Sequence, residues 1–150
     1  MSSPVLPEPS EGSAPRAALY RARACVAVAF VLCRFPPRTM ARLMRAVVRN
    51  GRRPDAATIV YHRRLVAGVS TLCAGEGCLP RSVAIALLAR THGHGVTWCT
   101  GVRDRPFTAH AWVEIAGRPI GEPDRLDGFQ KMIECRPRYA AADTADGEPK

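Results

Sequence analysis

The stretch GEGCLPRSVAIALLARTHG, residues 75–93, decides how this chain folds. Two glycines precede Cys78, and Pro80 falls in the first turn, where a helix tolerates proline. Val83, Ala84, Leu87 and Leu88 then recur at helical spacing, and Gly93 supplies a stop after His92. Beyond that helix the period becomes two. Val96, Trp98, Thr100 and Val102 alternate with Thr97, Cys99 and Gly101, and a turn at 104–106 leads into a second strand over 108–115. Ala116-Gly117 closes a tight hairpin into 118–122.

Working outward, three helices precede this unit. The first covers 19–33. The second starts at Thr39 as N-cap, with Met40, Leu43, Met44, Val47 and Val48 on one face, and stops at Asn50-Gly51. The third starts at Pro54-Asp55 and carries Ile59, His62, Val66, Val69 and Cys73 on one stripe up to Gly75. Downstream, Leu126, Phe129, Met132 and Ile133 predict a short terminal helix. The expected fold is α+β, a helical N-terminal half packed on a small antiparallel sheet. The domain is expected over 19–138. Residues 1–18, rich in Pro, Ser and Glu, and residues 139–150 have little to bury and are read as disordered tails.

With 150 residues, of which 47% are hydrophobic, the chain has material for one core. Its apolar run at 24–33 is about half of what a bilayer crossing requires. The opening is Pro-rich and acidic where a secretory signal needs a basic and then an apolar region, so a cytoplasmic location is expected. The net charge of +9 is unevenly placed: residues 1–64 hold twelve arginines and three acids, and the remainder is balanced. No basic run is interleaved with aromatics, which speaks against nucleic acid. Arg38, Arg42, Arg45 and Arg49 instead form a solvated face or a docking surface for an acidic partner.

A thiol at a helix start meets the positive end of the helix dipole, which favours the thiolate, so Cys78 is the candidate nucleophile. Cys25, Cys33, Cys73 and Cys99 lie in apolar stripes and are read as core. A zinc set drawn from Cys73, Cys78, His92, His94 and Cys99 fits no usual ligand spacing. Alternation places His110 on one strand face with Trp112 and Glu114, making it the candidate base. If the hairpin loop is 115–117, Glu114 pairs with Arg118 and Glu122 lies opposite His110. A two-residue loop would put Pro123 there instead.

CLPRSVAIALL from Cys78, the WCTGV strand from Trp98, and FTAHAWVEIAGRPIGEP from Phe107 together resemble the leader peptidases of lasso-peptide biosynthesis, over 55–138. The resemblance implies a transglutaminase-like fold, papain-like in arrangement. It also implies a Cys-His-Asp triad that removes the leader from a ribosomally made precursor. Cys78 and His110 match directly; Glu122 stands where the family usually has Asp, with Asp124 as the nearby substitute. Trp112 is then core or a substrate-cleft wall. Arg81 is a helix-start residue placed to contact an acidic group, and the Cys78 N–H is a candidate oxyanion donor. The implied partners are the precursor leader, a separate winged-helix-like leader-recognition protein and the lasso cyclase, with no cofactor. An acyltransferase with the same triad and a catalytically silent precursor-binding subunit are the alternatives.

Overall fold

The computed structural model describes residues 14–122 and 126–145. Its elements are α1 (Arg16–Leu32), α2 (Pro37–Val48), α3 (Ala56–Val69), α4 (Thr71–Ala74), α5 (Cys78–Thr91), β1 (Thr97–Arg103), β2 (Thr108–Ile115), β3 (Arg118–Pro119), β4 (Gln130–Cys135) and α6 (Arg138–Ala145). The strands form one antiparallel sheet in the order β3-β2-β1-β4. The architecture is α+β, helices on a small antiparallel sheet.

α5 is the centre of the core. Arg81, Ser82, Val83, Ala84, Ile85, Ala86, Leu88 and Ala89 are all buried, so the helix is enclosed by α1, α3, α2 and the sheet and does not show the single apolar stripe expected. Its alanines let neighbouring elements approach closely. Trp98, fully buried on β1, donates its indole N–H to Ser82 Oγ at 3.0 Å, which ties the first strand to α5. Burying such a side chain contributes about 1.5–3 kcal/mol, and the hydrogen bond satisfies its only polar atom. On α3, His62 is buried with Ile59, Leu65 and Val66. Desolvation, with His92 and His94 nearby, pushes it down to about 4, so it is neutral at pH 7.

Four boundaries depart from the sequence reading. α2 starts at Pro37, with Pro36 as N-cap, and Thr39 sits inside its first turn. The third helix breaks at Ser70, whose hydroxyl accepts the Cys73 N–H and caps α4. α1 begins at Arg16. α6 extends into the expected C-terminal tail, held by Arg138 N–H on Arg49 O and by the Tyr139 hydroxyl on Gly95 O.

The largest departure is β4, a strand where a terminal helix was expected. Thr100 pairs with Ile133 and Gly101 with Lys131, so Met132 is an extra residue bulged out of the ladder and 66% exposed. That insertion breaks the period of two and imitates a helical one. Gly101 also has no space for a side chain: a Cβ there would lie 2.7 Å from Gln130 O and 2.9 Å from the Trp112 ring.

Candidate active site

The site begins in the connection between α4 and α5. Gly77 N–H donates to Leu72 O, and with φ −76 and ψ 57 Gly77 forms an inverse γ-turn that directs Cys78 N–H onto Glu76 O at 2.9 Å. A Cβ on Gly77 would stand 2.6 Å from Leu72 O, so any larger residue pushes the start of α5 away. Because Cys78 N–H is engaged by Glu76, it is not the oxyanion donor expected from its position. Arg81 is buried, and its Nη1 donates to Cys73 O and Gly75 O, both at 3.0 Å. It therefore braces the loop that presents Cys78 while still lining the cleft beside it.

Cys78 is half-buried and hydrogen-bonded to the His110 side chain and to the Ala111 backbone. The second contact follows from the sheet. Ile120 N–H bonds Val113 O, so the backbone of Val113 and, two residues earlier, of Ala111 faces the β3 side. β3 is two residues long and leaves Ala111 without a ladder partner there, and the thiol occupies that place. The His110 hydrogen bond lowers the Cys78 pKa, against the opposing effect of burial. The same bond, with that to Glu122, raises His110 to about 9. Both shifts run in the same direction, towards a thiolate beside an imidazolium.

Glu122 completes the chain of contacts. His110 Nε2 lies 2.7 Å from Glu122 Oε2, and Arg63 Nη1 lies 3.7 Å from Oε1 of the same carboxylate. The carboxylate side chain is only 8% exposed, so its contact with His110 is little screened. The hairpin reaches this arrangement by a register other than the favoured one. Ile115 pairs with Arg118 across a two-residue turn, Ala116 and Gly117, both with positive φ. Pro123 lies outside the described residues, and the chain leaves the ladder after Ile120, whose N–H bonds Val113 O. Gly121 turns against the Arg63 stem and carries Glu122 back to the imidazole. Asp124 lies outside the described residues.

Trp112 is 2% exposed and stacks behind His110 with ring centroids 5.9 Å apart, tilted by 15°. It supports the imidazole from the core, the first of its two expected places, and is not among the residues lining the cleft, the second. The cleft itself has a volume of about 330 Å³ and is lined by His110, Glu122, Arg63, Arg81, Arg103 and Phe129, among others. Arg63 and Arg103 are not singled out by the sequence, in which Phe129 reads only as part of a terminal helix. Nothing in the local pattern of α3 or β1 distinguishes an arginine aimed at a cleft from one in solvent.

A second polar cluster lies on the same sheet. Ligand atoms of Cys99, Glu114 and Glu134 fall within 4.8 Å of one another, a donor set that suits a cation. That role is already filled by a side chain: Lys131 Nζ is 3.0 Å from Glu114 Oε2 and 3.2 Å from Glu134 Oε1, and Arg136 Nε is 3.0 Å from Glu134. Burial, with Glu114 beside it, pushes the Cys99 thiol well up, so it keeps its proton. Trp112 Nε1 donates to Glu114 at 2.8 Å, so this network anchors the ring behind His110.

Arg38, Arg42, Arg45 and Arg49 are all exposed on or beside α2. The first three line a groove of about 310 Å³ with Pro37, Ala41 and Ile133, whereas Arg49 is outside that lining.

The ion pair has a direct consequence. Iodoacetamide is expected to alkylate Cys78 at neutral pH, far ahead of Cys99, and His110→Ala to move the pH dependence of that reaction up towards an ordinary thiol. Peptide-mapped alkylation against pH measures both. Equally slow reaction of all six thiols would contradict the pair.

Searches of curated proteins and of solved structures return no significant match. The family model described as Transglutaminase-like superfamily matches residues 22–134, from the first helix to the last strand and across Cys78, His110 and Glu122. That superfamily includes cysteine peptidases and acyltransferases, both of which work through an activated thiol. This chain belongs to the transglutaminase-like superfamily.

Proposed function

We propose that the protein is a cysteine peptidase that removes the leader from a ribosomally synthesised lasso-peptide precursor, acting with a separate leader-recognition protein. The observation that carries the peptidase reading is the hydrogen-bonded series Cys78, His110 and Glu122, of which His110 and Glu122 line an open cleft. The lasso context rests on the resemblance of the CLPRS and AHAWVE motifs.

In this reading the Cys78 thiolate adds to the scissile carbonyl, and the C–N bond breaks as His110 gives its proton to the leaving amine. Water then attacks the thioester. His110 takes one water proton, the C–S bond breaks, and the leader departs as a carboxylic acid that gives its remaining proton to solvent, while the thiolate and imidazolium pair reforms. Glu122 holds Nε2–H of the imidazole towards itself, leaving Nδ1 for the thiol. The arginines of α2 provide the docking surface for the acidic leader or its carrier protein.

Mass spectrometry of precursor incubated with this protein and the recognition protein tests the reading. Separated leader and core are expected, their summed mass greater than the precursor's by one water. Leader joined to an added amine would identify an acyltransferase, and intact precursor under all conditions a binding subunit. The rate is expected to rise on adding the recognition protein, through effective concentration, and to fall with salt. Arg42→Glu with Arg45→Glu should remove most of that stimulation. Full-rate cleavage by the isolated chain, indifferent to partner and salt, contradicts the docking role.

A further inference from the structure

The cleft beside Cys78 carries more positive charge than the proposed chemistry uses. Three guanidinium groups, Arg63, Arg81 and Arg103, line it against the one carboxylate of Glu122, and that carboxylate is bonded to His110. Two of the three are committed to the protein. Arg81 holds the carbonyls of Cys73 and Gly75, and Arg63 is packed on Gly121 and directed at Glu122. Arg103 is different. It ends β1 in the cleft wall, half-buried, with its guanidinium over the Phe129 ring at 4.9 Å from the centroid. Among the described residues no carboxylate lies within ion-pair distance of it. A planar cation fixed on an aromatic face keeps its edge donors free for a carboxylate, and little ordering entropy remains to be lost when one binds.

We propose that the substrate presents a carboxylate beside the bond that Cys78 attacks, and that Arg103 receives it. This rests on the reading of Cys78 as the nucleophile. Electrostatics supports the assignment of a charged rather than a neutral partner. The Cys78 and His110 pair is neutral overall, so an anion entering this cleft meets a net positive wall. Phe129, which also lies 6.0 Å from the His110 ring, places the bound group within reach of the reacting centre.

The test uses two alkylating reagents with the same leaving group, iodoacetate and iodoacetamide. In each the thiolate forms a C–S bond as the C–I bond breaks and iodide leaves, and only iodoacetate carries the carboxylate. The rate ratio of iodoacetate to iodoacetamide at Cys78, divided by the same ratio for glutathione, is expected to be about tenfold or more at low salt. Arg103→Gln should bring that normalised ratio close to one, and Arg103→Lys should retain part of it, which separates loss of charge from loss of fold. A normalised ratio near one in the wild-type protein, with Cys78 still reactive, overturns the carboxylate proposal and leaves the peptidase reading standing. A raised ratio that Arg103→Gln does not change overturns the assignment to Arg103. A Cys78 unreactive towards both reagents overturns the nucleophile reading itself.

Discussion

Cys78→Ala and His110→Ala are each expected to reduce precursor cleavage by about 10⁴-fold or more while leaving the circular dichroism spectrum and melting behaviour close to wild type. The magnitude follows from how the two groups are coupled. Without the imidazole the thiol loses the hydrogen bond that does most to lower its pKa, and the leaving amine loses its proton donor. Without the thiol no acyl-enzyme forms at all. The double variant should therefore be no worse than either single one, since the members of a catalytic unit do not contribute additively. Cys99→Ala, at a thiol that is buried and protonated, should remain active. Measurable turnover by the Cys78→Ala protein would remove the central claim.

Glu122→Gln is expected to lower the cleavage rate by roughly 10²- to 10⁴-fold, as loss of an orienting carboxylate does in comparable triads. An amide keeps the shape, but it presents one acceptor and one donor and carries no charge to balance the imidazolium. His110 owes its raised pKa to Cys78 first and to Glu122 next. The sign is therefore fixed: in the Gln variant the His110 pKa falls, and the alkaline limb of the pH and rate profile, near pH 9 in the wild type, moves to lower pH. A residue that only supported the fold would lower activity without moving that limb. Asp124→Asn should do much less. If the two variants rank the other way, the third member of the triad has been misassigned.

The local signals of this chain are strong where one element suffices to carry them. Two glycines, Cys78 and Pro80 mark a helix start at the thiol without reference to anything else, and the change of period at Val96 marks the passage from helix to sheet. Alternation also sets His110 on the face of Trp112 and Glu114, as the stacking of His110 on Trp112 and the bond from Trp112 to Glu114 both show. Such features depend on residues within about one helical turn or one strand of each other, so sequence alone determines them. The rest depends on what happens between distant segments. The His110 and Glu122 contact was expected from a hairpin register that the protein does not adopt. It arises because β3 ends after two residues and the chain turns back against Arg63 of α3, nearly sixty positions upstream. β4 escaped recognition because the residue bulged at Met132 erases its period, and only pairing with β1 restores it as a strand. The cleft arginines carry no pattern of their own. Which of them faces Cys78 was decided by the packing of α3, α5 and the sheet, because a side chain's direction is fixed by its own element but its neighbours are fixed by the others.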